Sequence, residues 1–245
     1  MRLVGVGVGP GDPELLTVKA VRVLREADLV LVPVMAPDEQ GRAEAVVRAH
    51  VGAAERVVFA LNDRGGVTER RANAWDAAAR RVVAAFEEGA GTVAFATIGD
   101  PNLYSTFTYL AQAVRGHAPD VAVETVPGVT AMQDLAARSG TVLAEGTESL
   151  RLLPLTGGRR SDTGLRDALA SGDTVVAYKF GQVAGDVLAA VADAGRLEDA
   201  VYGARLGLPG EDVRRAAEIA GPVPYLSTLI VPGRRTRLGG KLGGS

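Results

Sequence analysis

A carboxylate stands where an apolar run breaks into a turn: Asp100, within Thr92–Leu110, TVAFATIGDPNLYSTFTYL. A carboxylate at a strand end can partner a ribose hydroxyl or a substituted amine. The adjacent Gly99 leaves bare backbone for a ligand to approach. Asp100 before Pro101 also meets the plainer requirement of an Asx-type turn. Two further segments follow the same grammar. Leu3–Asp12, LVGVGVGPGD, leaves an apolar run through Gly9, Pro10 and Gly11, and Val126–Met132, VPGVTAM, does so through Pro127 and Gly128. In one parallel sheet, three such loops make one composite ligand edge. In the second half, Lys179 closes the apolar run VVAYK and Arg205 closes VYGAR, positions where a plain surface cation is not expected.

Other chemistries are excluded by what is missing. The chain has no cysteine, so it offers no thiolate nucleophile, disulfide or zinc–thiolate site. His50 and His117 are the only imidazoles and lie far apart in sequence, so no metal site is expected. A net charge of −2 argues against a general nucleic-acid surface. The glycines at 5, 7, 9 and 11 do not make a dinucleotide fingerprint, because the spacing puts Pro10 or Asp12 where the last glycine belongs. No Gly-Lys-Ser/Thr phosphate loop is present. Apolar residues make up 47% of the 245, enough for a sizeable core. No apolar run approaches the ~18 residues of a membrane span, and Met1–Arg2 run straight into an apolar strand. A soluble cytoplasmic protein without a membrane partner is the expectation.

The elements that must position these residues alternate. Strands are expected over Arg2–Val8, Asp28–Val32 (stopped by Pro33), Arg56–Leu61, Val93–Ile98 and Val121–Val126. Helices are expected over Leu16–Glu26, Glu44–Val51, Thr68–Glu88, Leu103–Val114 and Thr130–Arg138, with Asp12 as a helix cap and Pro13 early in the first turn. This alternation predicts an α/β fold with a mostly parallel sheet covered on both faces. The second half reads as strands Ser149–Leu155, Asp173–Lys179, Ala200–Arg205 and Tyr225–Val231. Helices Thr163–Ala170 and Val183–Ala194 lie between them, and Glu211–Ala220 reads as a helix or turn. A domain boundary is expected within Ala144–Glu148, giving domains 1–145 and 146–234. The basic, glycine-rich 235–245 is expected to be a solvated, flexible tail. Arg70, Arg71, Arg80 and Arg81 read as solvated residues of a long helix.

Together these loops resemble the tetrapyrrole (corrin/porphyrin) methylase family, and the resemblance covers nearly the whole chain. Gly5–Pro33 is similar to the family's opening signature. Gly99–Leu110 and Val126–Leu155 are more specific, through the Tyr-Ser-Thr-Phe and Leu-Ala-Glu-Gly-Thr-Glu runs. One departure is Ala43, where the resemblance leads one to expect serine. The resemblance implies two α/β domains, a mostly parallel sheet in the first and a mixed sheet in the second, with ligand in the interdomain cleft. It implies S-adenosylmethionine as methyl donor, S-adenosylhomocysteine as product, and methylation of C-20 of a precorrin-2 macrocycle, metal-free or cobalt-loaded. A homodimer is implied too. A sensor that binds S-adenosylmethionine or a nucleotide without chemistry is the alternative of another class. Carried over residue by residue, the cofactor contacts implied are Pro10, Gly99, Asp100, Leu103, Ser105, Thr106, Thr130, Ala131 and Met132. Tyr178, Lys179, Gly203, Ala204, Thr228 and Leu229 complete the set. Arg64, Lys179 and Arg205 are candidates for the substrate carboxylates. No residue stands out as a general base.

Overall fold

The computed structural model describes residues 1–59 and 67–235. Compact units divide at Thr130/Ala131. In the first unit, β1 (Arg2–Gly7), β2 (Leu29–Val34), β3 (Glu55–Val58), β4 (Thr92–Thr97) and β5 (Ala122–Val126) form a sheet ordered β3-β2-β4-β1-β5. Every pair in it is parallel. Helices α1 (Val18–Glu26), α2 (Arg42–Arg48), α3 (Glu69–Glu87) and α4 (Phe107–His117) cover it. Leu3, Leu31 and Phe95 pack with Val82, Phe86 and Leu110 of α3 and α4. Val4, Val32 and Ala94 turn the other way, to Leu24 and Val47 of α1 and α2. Burial on both faces explains why these strands read as continuous apolar runs.

Local chemistry sets the ends. Thr17 and Thr68 cap α1 and α3 by accepting from the amides of Ala20 and Arg71, at 3.1 and 3.2 Å. Asp12 does cap, but only a single 3-10 turn over Pro13–Leu15, so α1 begins later than expected. Pro33 lies inside β2 instead of stopping it. β4 flanks β2 only as far as Leu31, so Pro33 has one strand neighbour, where a missing donor is tolerated. Arg81 is not simply solvated: it forms a bidentate pair with Glu55 at 2.8 and 2.9 Å, tying α3 to β3.

The second unit contains α5 (Ala131–Ser139), β6 (Leu150–Pro154), α6 (Arg159–Ala170), β7 (Thr174–Tyr178), α7 (Ala184–Asp193), β8 (Val201–Ala204), β9 (Asp212–Arg215) and β10 (Ser227–Val231). Its sheet runs β6-β7-β10-β8-β9. β6 and β7 are parallel, whereas β10 is antiparallel to both neighbours and β9 to β8, so the sheet is mixed. One face packs Val175, Ala177, Tyr202 and Leu229 against Leu165, Leu169, Val187 and Val191 of α6 and α7. The other packs Val176, Val201 and Ile230 against Leu135 and Ala136 of α5. The boundary expected after residue 145 falls beyond α5, whose apolar side belongs to this second core. Glu211–Ala220 is neither helix nor plain turn but β9 followed by a 3-10 turn at Ala216–Glu218. Pairing of Asp212–Arg215 with β8 overrides the segment's helical composition.

Candidate functional site

In the first sheet β4, β1 and β5 are consecutive and parallel, so their carboxyl ends open on one edge. The three glycine–proline loops found in the sequence therefore meet, and they are joined. The Gly99 amide donates to the Gly9 carbonyl at 2.7 Å, and the Val8 amide to Thr97 at 2.9 Å. A Cβ at Gly7 would lie 2.6 Å from the Gly128 nitrogen and 2.6 Å from the Gly99 oxygen. A Cβ at Gly128 would collide with that same oxygen. Only glycine allows three backbones this close. Asp100 completes the join: Oδ1 accepts from the Asn102 amide at 2.8 Å and Oδ2 from the Gly128 amide at 3.0 Å. Asn102 reaches Thr125 on β5 at 3.2 Å. Ser105 Oγ lies 3.0 Å from Thr97 Oγ1 and accepts from the Phe107 amide at 3.1 Å, fixing the start of α4. Thr106 is the residue before that helix, Pro10 is buried, and Leu103 is half-buried. Gly99 has φ +70°, and nothing lies within 4 Å of where its Cβ would be. Bare backbone is thus presented at the strand end.

The second unit has its own edge. β7 and β8 are both antiparallel to β10, so their carboxyl ends emerge together. Tyr178, Thr228 and Gly203 form one cross-strand row on the face carrying α5. A Cβ on Gly203 would come within 2.7 Å of Leu135. The Tyr178 hydroxyl accepts from the Met132 amide in the first turn of α5, at 2.9 Å. Lys179 and Arg205 follow directly after β7 and β8, with φ of +62° and +52°. Left-handed backbone is disfavoured for residues with a Cβ and clusters at functional sites.

A family model for the Tetrapyrrole (Corrin/Porphyrin) Methylases matches residues 2–219. This chain belongs to the tetrapyrrole methylases. Among curated relatives, it is 34% identical over 246 residues to a Precorrin-2 C(20)-methyltransferase of Sinorhizobium sp, covering 96% of this chain and 97% of that protein. It is 32% identical to the Cobalt-precorrin-2 C(20)-methyltransferase of Salmonella typhimurium, over 94% and 95% of the two chains. The uroporphyrin-III C-methyl transferase of Thermus thermophilus, solved with S-adenosyl homocysteine, shares the fold. Its TM-score is 0.62 at 23% identity, over 94% of this chain and 97% of that one.

Apart from Lys179 and Arg205, which follow β7 and β8, the described residues named from the sequence fall into three groups in this family member. Pro10, Gly99, Asp100, Leu103, Ser105 and Thr106 belong to the joined loops of the first unit, and buried Thr130 ends that unit. Ala131, Met132, Tyr178, Gly203 and Thr228 lie on α5 or on the sheet face it covers. Ala204 and Leu229 differ: their side chains are buried in the core under α6 and α7, so only their backbone is left to meet a ligand. Arg64 lies outside the described residues. Thr97, Asn102 and Tyr104 were not singled out from the sequence. Asn102 and Tyr104 lie in the Asn-Leu-Tyr-Ser run after Gly-Asp-Pro, whereas Thr97 closes an apolar strand with no signal of its own; Tyr104, with φ +52°, is not a residue type that announces a left-handed backbone.

Proposed function

We propose that this chain is an S-adenosylmethionine-dependent methyltransferase of cobalamin biosynthesis that methylates C-20 of precorrin-2 to give precorrin-3A. The observation that carries the reading is the end-to-end identity with a relative named for that reaction. The relative named for the cobalt-loaded substrate matches over nearly the same length, so that macrocycle is the second substrate to assay.

The residues fit the methyl donor. Open space beside the Gly99 backbone accepts a ligand at the strand end. The donor carries positive charge, and the Asp100 carboxylate stands at that same edge. Pro10, Gly99, Asp100, Leu103 and Thr130 to Met132 would hold its methionine part. Tyr178, Gly203, Thr228 and the backbone of Ala204 and Leu229 would hold the adenine. When bound, S-adenosylmethionine supplies an electrophilic methyl group on a sulfonium. The meso carbon of the reduced macrocycle is enamine-like and needs no prior activation by a strong base. What the protein must supply is position, which contributes about 7–11 kcal/mol when the reacting groups are well aligned. The joined loops suit that task, because their geometry is fixed by backbone contacts before any ligand arrives. Lys179 and Arg205 orient the carboxylate-rich substrate.

The test is incubation of the protein with methyl-labelled S-adenosylmethionine and either metal-free or cobalt-loaded precorrin-2, read by mass spectrometry. Label on the macrocycle is expected. Binding of S-adenosylhomocysteine without transfer to either substrate would instead make the chain a sensor. A cytoplasmic homodimer completes the proposal. Light scattering at micromolar concentration should give twice the chain mass, and the monomer mass would count against it.

A further inference from the structure

Arg205 has left-handed backbone directly after β8 and opens the loop 205–211, which is held at several points. The Leu208 amide donates to the Arg205 carbonyl at 2.9 Å, and the Glu211 amide to the Leu208 carbonyl at 3.0 Å. The Gly207 amide donates to Glu211 Oε2 at 2.6 Å. Leu206 is buried in the core under α5, with Leu135. The Arg205 side chain lies over Gly210, where a Cβ would come within 2.9 Å of the guanidinium. These ties hold a backbone that a residue with a Cβ adopts only at a cost.

One tie leads out of the loop. Glu211 Oε1 accepts from Arg138 of α5 at 2.9 Å. Arg138 Nε in turn donates to Asp134, one turn earlier on the same helix, at 2.9 Å. Asp134 is 5% exposed. Taking a carboxylate out of water costs about as much as its ion pair returns, so this pair does little for stability alone. What it supplies is direction. The buried carboxylate aims Arg138, Arg138 aims Glu211, and Glu211 closes the loop that carries Arg205.

We propose that Asp134, Arg138 and Glu211 are positioning residues that set the Arg205 guanidinium for a carboxylate of the macrocycle. The inference rests on the methyltransferase reading and on the role given there to Arg205. It deepens that reading by naming what holds the cation in place. A guanidinium meets a carboxylate through a rigid planar fork, so its orientation matters as well as its charge.

Full-length Glu211→Gln, Arg205→Asn and the double variant test this, with steady-state kinetics on whichever precorrin the wild type methylates and calorimetry with S-adenosylhomocysteine. Glutamine keeps an acceptor for the Gly207 amide but turns an NH2 group toward Arg138. Asparagine tolerates the left-handed backbone. Arg205→Asn should raise the macrocycle KM at least roughly tenfold. Glu211→Gln should raise it about fivefold, with kcat and S-adenosylhomocysteine affinity retained. The double variant should be no worse than Arg205→Asn, because Glu211 acts through Arg205. An unchanged KM in either single variant, with the wild type active, overturns the inference alone. So does a Glu211→Gln effect that persists in the Arg205→Asn background, since Glu211 then acts by another route. A wild type that binds S-adenosylhomocysteine but methylates neither precorrin overturns the methyltransferase reading and this inference with it.

Discussion

Asp100 engages both carboxylate oxygens with backbone amides, one in its own turn and one on the β5 loop. This changes what Asp100→Asn should do. Asparagine can keep the Asn102 hydrogen bond, but its amide group would then face the Gly128 N–H, donor against donor. The substitution is expected to cost about 1–3 kcal/mol and to loosen the join. S-adenosylmethionine and S-adenosylhomocysteine should both weaken, by similar factors, in calorimetry on the folded variant. A loss confined to the sulfonium ligand would instead assign Asp100 to charge recognition. Glu44 is a second residue with concentrated duties. It is wholly buried and accepts from Arg48 at 2.7 Å, Arg56 at 2.8 Å and the Gly41 amide at 3.2 Å. Burial opposes its charge, but the hydrogen bonds from Arg56, Arg48 and Gly41 outweigh it and hold the pKa below the ordinary glutamate value. The folded pKa is the lower one, so the contribution is full above the unfolded value and is lost as pH falls through the folded value. Glu44→Gln should lower stability at neutral pH by about 1–3 kcal/mol. It should also flatten the acid limb of the stability curve, measured by urea unfolding across pH. An unchanged acid limb would show that other carboxylates dominate it.

At the scale of elements, the site is three loops that hold one another. Gly128→Ala puts a methyl group onto the Gly99 carbonyl, with backbone on both sides and no side chain able to yield. The β4 and β5 loops must separate, and S-adenosylhomocysteine binding should fall roughly 5- to 150-fold, since a strained or broken contact of about 1–3 kcal/mol sits at the site. Calorimetry showing wild-type affinity would mean that the join does not shape the pocket. The strand–loop–helix grammar was legible because glycine and proline mark strand ends whatever the tertiary context. β9 was not legible: the Glu211–Ala220 segment has helical composition, and only the partner strand makes Asp212–Arg215 extended. Nor was the partial engagement of the long α3 helix, since the Arg81 partner Glu55 is distant in sequence.

At the scale of the molecule, each unit has its own core, and Arg196 holds the second together. It is 3% exposed and donates to the carbonyls of Leu169, Asp173 and Pro232 at 3.1, 2.7 and 2.7 Å. One guanidinium thereby ties the end of α6, the start of β7 and the chain after β10. Burial lowers its pKa, yet its partners are all neutral carbonyls. Arg196→Met keeps the apolar stem but leaves these carbonyls without their donor. A loss of about 2–4 kcal/mol is expected. Hydrogen exchange should quicken in the second unit while the first keeps its protection. Equal change in both units would show that they unfold as one. Arg235 plays a related part nearer the chain's end, with a bidentate pair to Glu148 at 2.9 and 2.6 Å. The glutamate that closes the Leu-Ala-Glu-Gly-Thr-Glu run thus has a structural partner.

The sequence by itself determined the order and type of most elements, the three loops and the family, because these depend on local signals: apolar periodicity, glycine and proline punctuation, and motif spelling. Only the tertiary structure decided which residues share a face. Thr228 and Leu229 are neighbours in sequence, but the period of two along a strand sends one to the side carrying α5 and the other into the core beneath α6 and α7. It also decided that α5 packs on the second sheet, since Leu135 and Ala136 find their apolar partners on β7, β8 and β10. The second role of Asp100 was decided in the same way. An Asx turn is written in adjacent residues, whereas an acceptor for Gly128, 28 residues on, exists only once β4, β1 and β5 lie side by side.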